Sequence, residues 1–316
     1  MGIHLLNSFL QSLYNNGSRI INLSELSGKK IVIDTSIYLY RFKSMGALLE
    51  NIYLMCTIFR YYNIHPLFIF DGKSRKNKEL TIQKRKEEKE IARKEYYEIK
   101  KMIKTATEDE KELLEDKMNK LRRRFIKITR EDIENVKYLL DFYGLSYLDY
   151  DFEADELCAV LVIKGHAYAC LSEDTDMFAY GCPRILKYIS LMKHTVVLYP
   201  IGNILGKLNI KFDDFQKLCI LSGTDYNFTK KNIFWFYNLY KKFKNIKPKV
   251  DFMKWLEQKK HISIQTYYEL KDIYRIYNKN PSEILNRISY LTIRNKKIND
   301  NGIKSIMKKE NFIFAY

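Results

Sequence analysis

Acidic side chains recur in this chain where a strand would end. Asp34 follows Ile31-Val32-Ile33, Asp71 follows Leu67-Phe68-Ile69-Phe70, and Asp174 and Asp176 follow Ala169-Cys170-Leu171-Ser172-Glu173. In open α/β sheets ligands bind beyond the carboxyl ends of the strands, so these carboxylates would gather at one sheet edge. Asp174 and Asp176 are two residues apart and would project the same way from an extended exit segment. Glu153 and Asp155 open a helical segment near Ala154, and Asp225 lies in Leu221-Ser222-Gly223-Thr224-Asp225-Tyr226. Each has an ordinary structural explanation when taken alone: Asp34 as a helix N-cap, Asp71-Gly72 as a strand-exit turn, Asp225 as a turn residue. Together they put several like charges in one place, where they cannot all stay ionised without cations.

The elements that must position them are legible from the pattern. Lys30-Ile31-Val32-Ile33, Pro66-Leu67-Phe68-Ile69-Phe70 and Ala167-Tyr168-Ala169-Cys170-Leu171 are short continuous apolar runs, as strands buried on both faces of a parallel sheet require; Thr195-Val196-Val197-Leu198-Tyr199 is a further candidate. Helical spacing marks 47–62, 131–143 and 154–164. Strand and helix alternate, which predicts an α/β fold with a mainly parallel central sheet flanked by helices. Residues 74–128 contain neither Gly nor Pro and are crowded with Lys, Glu and Arg, the composition of long exposed helices projecting as an insertion. The expected organisation is therefore an α/β core in two parts, 1–72 and 131–229, interrupted by a basic helical insertion at 73–130 and followed by a basic helical region at 230–316.

Composition narrows the partner. The 316 residues are 46% hydrophobic and 29% charged, with only 12 Gly and 5 Pro, so the chain has a sizeable core and is no disordered polybasic tail. No apolar run is long enough to span a membrane, the N-terminus lacks a signal-peptide core, and the cysteines form no C-x-x-C pair, so an intracellular protein without disulfides or zinc is expected. The formal charge is +17, which points to a polyanion. It is unevenly spread: +9 over 73–130, +13 over 230–316 and −5 over the remainder. An acidic core between basic flanks suits an enzyme whose carboxylates hold divalent cations while its lysines and arginines hold a phosphate backbone.

The residues Met1-Gly2-Ile3, Ile33-Asp34-Thr35-Ser36, Phe70-Asp71-Gly72-Lys73, Glu153-Ala154-Asp155-Glu156, Glu173-Asp174-Thr175-Asp176 and Gly223-Thr224-Asp225-Tyr226 occur in an order and spacing that resembles the flap endonuclease/XPG superfamily of structure-specific 5′ nucleases. The resemblance covers roughly residues 1–228 and is closer to the flap endonuclease and 5′ exonuclease branch. It implies a PIN-like core with a helical arch, and a metal site of seven carboxylates: Asp34, Asp71, Glu153, Asp155, Asp174, Asp176 and Asp225. Asp155 stands where the eukaryotic flap enzymes usually have Glu. Two Mg²⁺ ions are implied, with Mn²⁺ able to substitute; a carboxylate-only site suits them, since both prefer oxygen ligands. Asp71, Glu153, Asp155 and Asp174 would serve chiefly one ion, Asp176 and Asp225 the other, and Asp34 would act through water. The resemblance further implies that Lys78 and Arg85, seven and fourteen residues after Asp71, handle the scissile phosphate from one face of the arch helix. Tyr40 would stack on a nucleobase, and Gly2 would lie at the DNA.

The pattern departs from the family after Asp225. Family members carry a glycine-rich hairpin that binds a monovalent cation and duplex phosphates, but here no glycine occurs between Gly223 and Gly302. Close backbone approach to phosphate is hard to build without glycine, so duplex binding is expected to rest on Lys230, Lys231, Lys241 and Lys242 and to be salt-sensitive. The aromatics Phe234, Trp235, Phe236 and Tyr237 read as local core. The end Phe312-Ile313-Phe314 lacks the glutamine and spacing of a sliding-clamp peptide. The expected activity is a 5′ flap endonuclease or 5′→3′ exonuclease acting on DNA flaps, ends or branch points in replication, repair or recombination. The alternatives are an RNA-directed nuclease and a catalytically silent subunit of a replication complex. A monomer is expected, and the richness in Lys, Ile, Asn and Tyr fits an AT-rich genome such as that of a large DNA virus.

Overall fold

The computed structural model describes residues 2–13, 17–72, 79–103, 108–246, 249–288, 291–308 and 312–314. Ile31, Val32 and Ile33 are completely buried in β2 (Lys30–Asp34), which lies inside a seven-stranded sheet of order β1-β7-β6-β5-β2-β3-β4. β3 (His65–Phe70) and β5 (Ala169–Leu171) flank β2 in parallel, with Ile33 opposite Phe68 on one side and Leu171 on the other. β4 (Ser146–Asp149) pairs in parallel with β3, and β6 (Arg184–Ser190) with β5. β7 (Thr195–Pro200) and β1 (Arg19–Asn22) complete the far edge antiparallel. The sheet is thus mainly parallel, as the alternation of strand and helix predicts.

Alternate strand residues feed two cores. Val32, Leu67, Ile69 and Cys170 face the helices Ala154–Ile163, Phe212–Leu221, Ile233–Ile246, Phe252–Gln258 and Ile264–Tyr277. Ile31, Ile33, Phe68, Phe70, Ala169 and Leu171 face Thr35–Ser44, Leu48–Tyr61, Arg130–Phe142 and Asp300–Lys308. Phe234 and Tyr237 pack edge-on against Phe9, at 5.3 and 5.2 Å between ring centroids, and Phe236 is buried, so this aromatic group is core. All five cysteines are buried and unpaired, and burial raises the Cys56, Cys158, Cys170, Cys182 and Cys219 thiols.

The Gly- and Pro-free stretch folds as two helices, Glu79–Met102 and Glu108–Arg124, that pack on each other around Ala92, Ile99 and Leu121, a small core of their own. Between Ile293, which still packs in the first core, and Ile298, which packs against the second, the chain crosses to the opposite face of the sheet. Lys296 N–H donates to the Gly144 carbonyl at 2.7 Å and Asn299 N–H to that of Phe142. Gly144 has φ +63, and a Cβ there would stand 2.8 Å from the Lys296 backbone, so this crossing requires glycine. The C-terminal region therefore contributes to both cores. No helix among the described residues is long and apolar enough to cross a membrane.

Candidate metal centre and gateway

Parallel register sets the carboxyl ends of β2, β3 and β5 side by side, and the acidic residues leave from there. Asp34 occupies the N-cap position of Thr35–Ser44 yet makes no capping bond. Its Oδ2 accepts from Ser172 Oγ at 2.9 Å, so the side chain turns into the sheet edge. Asp71 Oδ1 accepts from Ala154 N–H at 2.6 Å, a bond from a distant part of the chain to the start of the helix Ala154–Ile163. Glu153 sits at that helix's N-cap position without capping it; its Oε2 accepts from Tyr226 Oη at 2.9 Å. Asp155 is buried two residues further on.

Asp174 and Asp176 are not arranged as an extended segment would place them. The Asp174 carboxylate accepts the Asp176 N–H at 3.0 Å, and the chain turns into the short helix Asp176–Ala179. A local side-chain bond to the backbone has won over continued extension. Asp176 Oδ2 accepts from Tyr277 Oη at 2.6 Å, and the Asp225 N–H lies 3.5 Å from the same oxygen. Asp34, Glu153, Asp155, Asp176 and Asp225 are all buried, whereas Asp174 is half-buried and Asp71 exposed. Burial, then the negative charges of Asp71, Asp155 and Asp174, raise the Asp34 carboxyl well above its ordinary value, with the Ser172 bond opposing.

The loop carrying Asp174 is held from several sides. Lys187, fully buried on β6, donates to the Glu173 carbonyl at 2.7 Å, and burial lowers its ammonium pKa. The Glu173 carboxylate accepts from Tyr188 N–H at 2.8 Å and pairs with Arg41 at 3.6 Å. Thr175 Oγ1 accepts from Ile3 N–H at 2.7 Å. Gly2 has φ +82, and a Cβ on it would stand 2.2 Å from Thr175 Oγ1 and 2.6 Å from Asp174 Oδ1, so the opening segment packs directly on the carboxylate loop.

The side of the site facing the insertion helix Glu79–Met102, the gateway, is basic and aromatic. Arg85 donates to Asp225 Oδ1 at 2.7 Å. On the same helix Lys84 lies over the exposed Phe228 ring at 4.8 Å and Lys89 over Tyr40 at 5.2 Å. Tyr40 is 43% exposed, so its ring is presented to the gateway and is no core residue. Lys78 lies outside the described residues. Lys230, Lys231, Lys241 and Lys242 are exposed on the C-terminal side; Lys231 rests over Trp235 and Lys241 over Tyr237. Phe312 and Phe314 pack on Tyr53 at 5.2 and 5.8 Å.

No three His, Cys, Asp or Glu side chains among the described residues stand close enough to form a finished metal cage. Arg85 brings positive charge to this edge through its bond to Asp225. The donor set is nevertheless oxygen-only, mostly buried, and oriented by protein donors, which is the support that ligating carboxylates need. The residues present fit a hard divalent cation. Ser172, Tyr226 and Tyr277, which orient three of these carboxylates, were not singled out from the sequence; Ser172, beside Glu173-Asp174, and Tyr226, beside Asp225, carry a positional hint, and Tyr277 carries none.

Residues 1–92 match the XPG N-terminal domain and residues 144–225 the XPG I-region. A probable RAD2-like endonuclease of Invertebrate iridescent virus 6 is 30% identical over 282 residues, covering 72% of this chain and 67% of that protein. Flap endonuclease 1 of Methanococcus aeolicus is 30% identical over 310 residues, covering 92% and 86%. The chain spans 61% of the length of mouse flap endonuclease 1, at 28% identity and over 72% of its own length. Among solved structures, the catalytic core of Rad2 in complex with DNA substrate superposes with a TM-score of 0.65 at 21% identity over 98% of this chain and 94% of that one, which shows a shared fold. The chain belongs to the flap endonuclease/XPG superfamily of structure-specific 5′ nucleases.

Proposed function

We propose that this chain hydrolyses DNA phosphodiester bonds at 5′ flaps, ends or branch points, with Mg²⁺ as its natural cation and Mn²⁺ as a substitute, inside the cell where DNA is replicated or repaired. The observation that carries the reading is the convergence of Asp34, Asp71, Asp155 and Asp174 from the ends of β2, β3 and β5 and from the Ala154–Ile163 helix, close enough for each to raise the Asp34 carboxyl. Asp71, Glu153, Asp155 and Asp174 would hold one ion and Asp176 and Asp225 the other, with Asp34 acting through water. Bound divalent cations supply the charge that activates water and neutralises the phosphate under attack. Arg85 exchanges the Asp225 carboxylate for a substrate phosphate, an anion it binds with the same planar donors. Tyr40, released from Lys89, stacks on the base next to that phosphate. The exposed lysines Lys230, Lys231, Lys241 and Lys242 bind the duplex through its backbone.

The test is a panel of end-labelled single-flap, double-flap, nicked, gapped and blunt DNA, with RNA of the same sequence, incubated with Mg²⁺ and the wild type or Asp174→Asn. The wild type should cut DNA flaps or ends. Asp174→Asn should lose about a thousandfold or more in rate, several kcal/mol of charge stabilisation, while binding DNA almost as before. A variant that cuts at the wild-type rate, or a wild type that cuts only RNA, sinks the proposal.

A further inference from the structure

Three consecutive residues at the end of the Ile264–Tyr277 helix reach back into the carboxylate core. Tyr277 Oη donates to Asp176 Oδ2 at 2.6 Å. Asn278 Nδ2 donates to Gln216 Oε1 at 2.8 Å, and Gln216 in turn donates to the Ala179 carbonyl at 2.7 Å. Lys279 Nζ stands 3.3 Å from Glu156 Oε1. The side chains they meet, Asp176, Gln216 and Glu156, are each 1% exposed. Asp176 and Ala179 are the two ends of one short helix, and Glu156 follows Asp155, so this corner grips the carboxylate region at three separate points.

The Tyr277 ring is fixed independently of its hydroxyl. It packs against Tyr180 at 4.6 Å and edge-on against Tyr226 at 5.7 Å between centroids. Packing alone would be satisfied by phenylalanine, whereas a phenol aimed at a buried carboxylate fixes which way that carboxylate points. Hydrogen-bond partners behind a ligating carboxylate typically change metal affinity or activity 10–100-fold when removed.

We infer that Tyr277 is a positioning residue that holds Asp176 in its cation-binding orientation, and that Asn278 and Lys279 anchor it, so that cation affinity depends on the C-terminal helices. The inference rests on the reading of Asp176 as a cation ligand. It requires no contact between Tyr277 and substrate.

The experiment titrates Mn²⁺, read by electron paramagnetic resonance of the free ion, into the full chain without DNA, for the wild type, Tyr277→Phe, Asn278→Ala and Asp174→Asn. Circular dichroism reports the fold of each. Tyr277→Phe should stay folded and bind Mn²⁺ about 10–100-fold more weakly. The Mn²⁺ concentration for half-maximal cleavage should rise by the same factor, and kcat should recover at saturating Mn²⁺. Asn278→Ala, which loosens the anchor and leaves the phenol in place, should shift affinity the same way by a smaller factor. If Asp174→Asn loses Mn²⁺ while Tyr277→Phe or, should that variant not fold, Asn278→Ala keeps wild-type affinity, the positioning role is wrong and the metal reading stands. If Asp174→Asn binds Mn²⁺ as the wild type does, the metal reading falls and takes this inference with it.

Discussion

Between Ser172 and Asp176 the chain is held from β2, β6, the opening segment and the C-terminal helices at once, through Asp34, Lys187, Ile3 and Tyr277, whereas the gateway opposite shows, among the described residues, separate charged and cation–π contacts at its surface. There, Arg85 meets Asp225, and Lys84 and Lys89 lie over the exposed rings of Phe228 and Tyr40. An exposed cation–π contact contributes only about 0.5–1 kcal/mol. The floor is therefore fixed before any ligand arrives, while each gateway contact is a cation that a phosphate can take over or a ring that a base can cover. A preformed floor keeps ligating oxygens oriented; an exchangeable wall lets a strand enter without costing the fold anything.

The largest effect is expected where the floor is tightest. Gly2→Ala would force a Cβ to within 2.2 Å of Thr175 Oγ1 at a left-handed backbone position. Cleavage should fall by about a hundredfold or more as the loop is displaced, with Mn²⁺ binding weakened in parallel. Loss of DNA affinity with Mn²⁺ binding intact would instead make Gly2 part of the wall. A smaller effect is expected from Arg85→Gln, which should lower single-turnover cleavage by about 10–100-fold through lost phosphate handling. Mn²⁺ should bind this variant as tightly as the wild type or more so, because Asp225 is no longer shared; weaker Mn²⁺ binding would assign Arg85 to the floor. The smallest effect concerns stability. Burial and then Asp71, Asp155 and Asp174 raise the Asp34 carboxyl, so the folded, metal-free protein holds that proton more tightly than the unfolded chain. Its stability in chelator should accordingly decline as pH rises from the unfolded carboxylate value of about 4 through the raised folded value. Asp34→Asn should flatten that decline and raise the metal-free melting temperature by a few degrees; a wild type without the decline would mean that neither burial nor the neighbouring charges raise the Asp34 carboxyl.

The sheet centre was legible because β2, β3, β5 and β7 are apolar runs whose burial leaves only one reading. β1 and β4 are short edge strands with mostly exposed or half-buried residues, and β6 hides its character behind a buried lysine, so none of the three stands out. The carboxylates were legible through their place after strands; for Asp34 the structure separates the two readings, since the position is an N-cap but the side chain accepts from Ser172 and makes no capping bond. The turn between Asp174 and Asp176 was missed because one short-range hydrogen bond overrides the extended geometry that spacing alone suggests. Tyr277 was beyond reach. It is one of 25 tyrosines, and its partner lies 101 residues away, so only tertiary structure distinguishes it.

The crossing at Gly144 bears on the order in which the two cores can close. Helix Asp300–Lys308 closes the core on one face, and Tyr277 reaches the carboxylates from the other. A growing chain that has reached residue 225 has all seven carboxylates but neither complete core. Such non-local closure is slow compared with helix formation. Until residue 308 has been added, a growing chain therefore lacks the helix that closes this second core, and the carboxylate edge it supports is last to be completed.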